Sequence, residues 1–512
     1  MIKRLIDRLL GKAARIPLGK RVEFAAKDHG IDPKLVDERA VKVVQTLQQA
    51  GHNAYVVGGA VRDLLVGLRP KDFDVATDAT PEQVKQLFRR AFIIGRRFRL
   101  VHVIHGRGRD HEVIEVSTFR AYLDSNDATQ VGGNEKTSKS DLVGQSHAVD
   151  ASGRVLRDNV WGPQIEDAAR RDFTVNAMYY DPATETVVDY HGGLKDVRQR
   201  LLRLIGDPAA RYREDPVRII RAVRFAAKLG FQFDRKTEAP MRELSTLLSN
   251  VPASRLFDEM IKLLQTGHAL ASVEALKQHN LHRGVFPILD AVFDERRISA
   301  AQETFIRNAL SDTDRRVEEG RAVAPSFLLA CLLWHEVLER WQQLKAAGGH
   351  AVPALQQAID AVFEARIGDV SGRGKLAADM REVWMMQTRF DRRTAASAAS
   401  LIEQARYRAG YDFLRLRADS GEVADELAQW WEDYALGGAE DREALVLAAR
   451  EAERGVRSAR PVREPSDRSA DAEREDEPEL EVGPAAGDAP RKRRRRRRRP
   501  SGAVPAAAEG GA

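Results

Sequence analysis

Hydrophobic and polar positions change rhythm along the chain. Ala54 to Val57 is a short apolar run ending in Gly58-Gly59, which predicts a strand feeding a tight turn. Val41 to Ala50 before it and Ala60 to Val66 after it predict helices. Phe73 to Ala76 predicts a second strand. Thr80-Pro81-Glu82-Gln83 reads as a helix start, with Thr80 as cap, Pro81 in the first position and Gln83 reaching back. Leu100 to His105 and Glu112 to Phe119 predict two more strands around a Gly-containing turn. Strands interleaved with helices from about 40 to 180 indicate an α/β domain. From about 195 to 450 strand patterns vanish and a period near 3.6 takes over, so this half is expected to be all-helical. Trp430-Trp431 reads as core rather than as a base-stacking pair.

Three segments break these patterns. Residues 124–152 are poor in apolar residues and rich in Ser, Gly, Asn and Asp, the pattern of a mobile loop, and they match no motif. Residues 2–10 place Ile2, Leu5, Ile6, Leu9 and Leu10 at helical spacing among Lys3, Arg4 and Arg8. Such a short basic amphipathic helix packs on the body or rests weakly on an anionic membrane surface. After about 450 come an acidic stretch at 471–481, a Gly/Ala/Pro segment, a cationic run and an Ala/Gly-rich end, the composition of a disordered tail.

Charge sharpens this picture. The 512 residues carry 82 Lys and Arg against 76 Asp and Glu, a net +6. Nine of the cations are consecutive: Arg491, Lys492, Arg493, Arg494, Arg495, Arg496, Arg497, Arg498 and Arg499. With them removed, 73 cations face 76 acids, a balance of −3. A uniformly basic surface is therefore excluded, and the positive character is concentrated in this run. One cysteine, Cys331, lies inside an apolar run, which excludes an internal disulfide and a Cys-based zinc site and suits a small buried hydrophobe. The longest apolar run, Phe327 to Trp334, has eight residues where about 20 span a bilayer. With no secretory cleavage pattern, a reducing, cytoplasmic location is expected.

Three clusters carry chemistry. In Gly58-Gly59-Ala60-Val61-Arg62-Asp63 the glycines let backbone approach a phosphate, the following helix offers its N-terminal amides, and Arg62 is placed to reach the same phosphates. Asp72 and Asp74, two apart on a strand, share one face, and a divalent cation would relieve their repulsion. Together these are equipment for metal-assisted nucleotidyl transfer. The second cluster is Arg170-Arg171-Asp172-Phe173-Thr174-Val175-Asn176-Ala177. Its cations suit a triphosphate, and Asp172 and Asn176, on one helical face, suit sugar hydroxyls. In the third, Glu214-Asp215-Pro216 opens a helix whose Arg218 and Arg221 share a face, with Asp215 at its end, an acid–arginine set that can read a base edge.

Taken together, the clusters resemble the class II nucleotidyltransferase family, which includes tRNA CCA-adding enzymes and bacterial poly(A) polymerases. The resemblance covers about residues 50–270 and rests on Gly58, Gly59, Arg62, Asp63, Asp72 and Asp74; on Arg171, Asp172 and Asn176; and on Glu214, Asp215, Arg218, Arg221 and Arg224. It implies an α/β nucleotidyltransferase head followed by all-α neck, body and tail. The corresponding bounds are an N-terminal segment 1–40, head 41–185, base-recognising neck 186–260, RNA-binding body 261–450 and basic tail 451–512. Within the family, Ile93 to Leu100 and the Arg-rich C-terminus resemble the poly(A) polymerase branch, and the His-Asp dipeptide of an appended phosphohydrolase domain is absent. The implied activity is template-independent addition of AMP from ATP to single-stranded RNA 3′ ends. Alternatives are CCA addition and a non-catalytic RNA-binding adaptor. Asp72 and Asp74 are expected to hold two Mg²⁺ ions. Asp172 is the first choice for a further active-site carboxylate and Glu115 its rival. A monomer acting with RNA-decay proteins completes the expectation.

Overall fold

The computed structural model describes residues 18–458, apart from 96–98, 107–110, 123–128, 131–146, 150–154, 282–284, 294–298 and 367–372. The basic N-terminal helix, the cationic run and the tail beyond Ser458 therefore lie outside the described residues. The last helix, Ala439–Ser458, carries regular structure past the expected boundary at 450. Contacts between residues divide the chain after Glu453, and of the second unit only the end of that helix is described.

The head is built on strands β1 (Val22–Phe24), β2 (Ala54–Val57), β3 (Asp74–Thr77), β4 (Ala91–Ile94), β5 (Leu100–His105) and β6 (Glu112–Thr118), with β10 and β11 below. Three short strands, β7 (Thr129–Gln130), β8 (His147–Val149) and β9 (Val155–Asp158), form a separate small sheet. The described parts of 124–152 are thus strands, not the expected loop. Their pairing adds backbone hydrogen bonds without an apolar pattern, which is why composition missed them. The main sheet is completed by β10 (Met178–Asp181) and β11 (Thr186–Asp189), giving the order β1-β11-β10-β2-β3-β6-β5-β4. Between them Asp181 accepts from the Ala183 amide and the Thr184 hydroxyl, closing a hairpin whose strands are mostly buried.

Helix α1 (Glu38–Gln49) lays Val43, Val44 and Leu47 on one face of this sheet, against Val56, Val75, Val101, Ile114 and Val116. Helix α2 (Gly59–Leu65) follows β2. Helix α3 (Pro81–Leu87) starts with the expected capping box at Thr80 and Gln83. On the opposite face, helix α4 (Gln164–Arg170) packs Ala168 with Val57, Ala76, Phe119, Tyr179 and Val188.

Among the described residues beyond the head the chain is helical, as expected, except for one parallel pair, β12 (Leu201–Leu202) with β13 (Gln232–Phe233). Two residues per strand are too few to leave a periodic signal. Helices α5 (Pro208–Glu214), α6 (Val217–Leu229) and α7 (Ala253–Leu264) pack beside the head, and one apolar core runs from Val56 through Ile219 and Leu263 to Leu329. Cys331 and Trp431 are fully buried and Trp430 nearly so, Trp431 donating to Phe390 O at 2.9 Å, so both tryptophans belong to the core. Among the described residues no helix is long and apolar enough to cross a membrane.

Candidate active site

The turn after β2 sets one wall of the site. Gly58 takes φ +78°, ψ −127°, a conformation essentially open only to glycine. Its amide donates to Met178 O at 3.1 Å, tying the turn to β10. A Cβ on Gly58 would lie 3.4 Å from Arg171 Nη1. Gly58, Gly59 and Arg62 line a cavity of about 420 Å³ together with Arg171, Asp172, Asn176, Asp215, Arg218 and Arg221. These nine residues from the three clusters thus meet in one place. Asp74 and Arg170 line it too, as do Phe225 and Arg255, to which the sequence reading gave no role.

Strand β3 begins at Asp74, one residue later than expected. Phe73 is buried in the core, and the exposed Asp72 precedes the strand rather than sharing it and is not part of the lining. Asp74 pairs with Val57 on one side and Glu115 on the other, and residues in register share a face. Asp74 is exposed at the cavity wall, but partial desolvation there, Glu115 and Asp72 push its carboxyl up to about 6, while Arg171 pulls the other way. Glu115 in turn accepts from or donates to His102 Nε2 at 3.2 Å, according to the tautomer and protonation state. Among the described residues no three His, Cys, Asp or Glu side chains form a complete protein cage for a metal. A cation fits here as counter-charge to crowded carboxylates, drawing its other ligands from phosphates and water.

The Arg170–Ala177 segment is not the helix its spacing suggested. Arg171 caps the end of α4, and only Thr174–Asn176 makes a single 3₁₀ turn. The turn still brings Asn176 Nδ2 to 3.4 Å from Asp172 Oδ1. Asp172 also accepts from the Phe173 amide at 2.8 Å and from Arg221 at 2.5 and 2.9 Å. Burial opposes its ionisation, but Arg221 and these donors hold it at about 2. Asp172 is therefore engaged with Arg221, and Glu115 is the carboxylate in register with Asp74.

Arg62 is almost fully buried. It donates through Nε and Nη2 to Asp63 and through Nη1 to Asn176 at 2.6 Å, so it braces the turn instead of extending freely toward a phosphate. Arg171 is set by residues the sequence did not flag. Its guanidinium bonds Asp167 at 3.0 Å and lies 5.4 Å from the Tyr179 ring centre, and Tyr179 donates to the same Asp167 oxygen at 2.8 Å. Asp167, three residues before Arg170 on α4, carried no motif. The set expected to read a base edge is also held by partners of its own. Asp215 accepts from Arg255 at 2.7 Å, whereas Arg218 donates to Glu214 and to Arg211 O, both at 2.8 Å. Arg255 comes from α7, forty residues away, a distance at which spacing carries no signal.

The chain is similar to known proteins along most of its length. Residues 54–203 match the poly A polymerase head domain, 230–293 the probable RNA and SrmB- binding site of polymerase A, and 347–500 the polymerase A arginine-rich C-terminus. The poly(A) polymerase I of Haemophilus influenzae is 42% identical over 426 residues, 82% of this chain and 89% of that protein. A CCA-adding enzyme of a Geobacillus species is 35% identical over 265 residues, 52% of this chain and 57% of that protein. The solved CCA-adding enzyme of Bacillus stearothermophilus in complex with CTP is 23% identical, covering 82% of this chain and 98% of that one, with a TM-score of 0.43.

Proposed function

The chain belongs to the poly(A) polymerase I family of nucleotidyltransferases, and on that premise we propose how its head and neck add AMP from ATP to RNA 3′ ends without a template. The observation that carries the mechanism is Asp74 in register with Glu115 at the border of the arginine-lined cavity. ATP lies in the cavity with its phosphates against the Gly58-Gly59 turn, Arg170 and Arg171. Its sugar faces Asn176 and Asp172, and its base faces the neck residues Asp215, Arg218 and Arg221. Asp72, Asp74 and Glu115 would hold two divalent cations, with Mg²⁺ suited to oxygen ligands and phosphates. When bound, these lower the pKa of the attacking hydroxyl and neutralise charge at the α-phosphate. The RNA 3′ oxygen forms a bond to the α-phosphorus as the bond to the bridging oxygen breaks. The hydroxyl proton passes to solvent, and pyrophosphate leaves. The reading includes a cytoplasmic monomer, in weak membrane contact at most through 2–10, whose tailed transcripts pass to RNA-decay proteins. Incubating an RNA primer with each nucleotide separately tests it. Long tails with ATP alone are expected, and CTP addition that stops after a few residues would instead favour CCA addition.

Two further outcomes follow. Arg218→Ala removes a half-buried cation that donates to Glu214 and to Arg211 O beside the base site, while Glu214 keeps its bond from Arg211. The ratio of kcat/KM for ATP to that for CTP should fall about tenfold, as expected for a lost charged hydrogen bond. An unchanged ratio would remove Arg218 from base selection. Deleting residues 485–512 removes the nine-cation run. Single strands lose about 0.7 in log–log salt slope per neutralised phosphate, so ~5 contacts give a slope near −3.5. The truncated protein should show a flatter slope and a raised primer KM, with kcat at saturating primer within a few-fold. Equal slopes for both forms would mean that the run tethers something other than RNA, such as a protein partner or the acidic 471–481 segment.

A further inference from the structure

We propose that the open face of β4, β5 and β6 is a stacking shelf for the 3′-terminal bases of the RNA primer, with Phe92 and His102 as its contact residues. The proposal rests on the reading of Asp74 and Glu115 as the reacting centre. Strand register sets out one row across the sheet: Phe92 opposite His102, His102 opposite Glu115, Glu115 opposite Asp74, and Asp74 opposite Val57. All share a face. Their sequence neighbours Ala91, Val101, Val103, Ile114, Val116 and Val75 are buried on the other. Gly58 and the nucleotide cavity follow Val57, at one end of the row. Strands lie about 4.8 Å apart, so His102 stands one strand beyond Glu115 and Phe92 two, at the opposite end.

This order constrains the primer. Its 3′ hydroxyl must reach the Asp74–Glu115 border, and the cavity side is filled by the incoming nucleotide. The approach left along the row runs over β6, β5 and β4, continuous with the reacting centre. That stretch passes from the polar Glu115–His102 pair to exposed apolar side chains on β4. Phe92 is 55% exposed, Ile94 beside it is 36% exposed, and His102 is half-buried between Phe92 and Glu115. An aromatic ring and an imidazole in a row, on an open sheet, suit the faces of unpaired bases and not a phosphate backbone. The division of labour is then physical: stacking next to the reacting centre holds the last bases, and cations elsewhere hold the backbone.

The test uses the full-length enzyme, a short oligoadenylate primer and enough salt to screen the arginine run. Phe92→Ala is expected to raise the primer KM about tenfold, the scale of one lost base–aromatic stack. The KM for ATP and kcat at saturating primer should stay within about twofold. Phe92→Trp should restore the primer KM. His102→Ala should raise it by a smaller factor. A primer ending in 2-aminopurine should have its fluorescence quenched by the wild type and by Phe92→Trp but not by Phe92→Ala. An unchanged primer KM or unchanged quenching in Phe92→Ala would overturn the shelf. So would a shift in its sedimentation with primer KM unchanged, which would make this edge a contact between copies of the chain. A fully active Glu115→Gln enzyme would overturn it by another route, by removing the reacting centre on which it depends.

Discussion

Asp74→Asn should abolish AMP addition while leaving the protein folded and no less stable. In the absence of metal the Asp74 carboxyl, exposed at the cavity wall, is pushed up to about 6 by partial desolvation and by Glu115 and Asp72. An acid whose folded pKa lies above its unfolded value, near 4, costs stability once it is ionised, so at pH 7 the wild-type carboxylate is a burden on the metal-free fold. The amide has the same shape without the charge. In EDTA the melting temperature should therefore hold or rise, and the cost should appear only in turnover. A lost metal ligand removes several kcal/mol of transition-state stabilisation, so kcat should fall on the order of 10³-fold. Asp72→Ala should show the same pattern, because Asp72 is exposed and its removal opens no cavity. Primer extension and calorimetry, each with and without Mg²⁺, make the comparison. Near-normal turnover in either variant would sink the assignment of these two carboxylates.

The head was readable where local rules suffice. The Ala54–Val57 run, the capping box at Thr80 and the strand from Leu100 to His105 each declare themselves within a few residues, and the structure places them there. The three motifs met in one cavity because each depends on a turn or helix end that its own residues encode. The partners inside the cavity were less readable. Arg255 reaches Asp215 from a different helix, Asp167 orients Arg171 through Tyr179, and Arg62 turns inward to Asn176. Such pairings depend on how elements pack, and no spacing encodes them. The Asp172–Asn176 pair shows the converse. The expected helix is not there, yet a 3₁₀ turn brings the two side chains together. A spacing of four limits the separation of two residues without naming the conformation that joins them.

Glu115→Gln should lower kcat by 10²- to 10³-fold, on the order of the Asp74 change, whereas Asp172→Asn should act mainly through stability and nucleotide affinity. The two carboxylates differ in what surrounds them. Glu115 is exposed, in register with Asp74, and paired among the described residues with His102, a half-exposed contact worth little to the fold. Its substitution should leave the melting temperature in EDTA nearly unchanged. Asp172 is lowered from 3.8 to about 2 against the cost of its burial, held by Arg221, the Phe173 amide and Asn176. A depressed acid contributes stability that is fully present above its unfolded pKa and is lost as pH falls through the folded one. At pH 7 that contribution is about 2 kcal/mol, reduced a little because Arg221 is one-third exposed. Asp172→Asn should forfeit most of it and leave Arg221 with the longer contacts to Glu259, at 3.9 Å, and to the Phe225 ring, at 5.6 Å. Arg221 would then lose its fixed place in the cavity, and the KM for ATP should rise about tenfold or more. Wild type and variant should converge in stability as pH drops from 4 toward 2, because the protonated aspartic acid no longer pairs with Arg221. Calorimetric melts across that range, with kcat and KM for ATP at pH 7, separate the roles. A Glu115→Gln enzyme with normal kcat, or an Asp172→Asn enzyme with normal stability and KM but no turnover, would return the third carboxylate to Asp172.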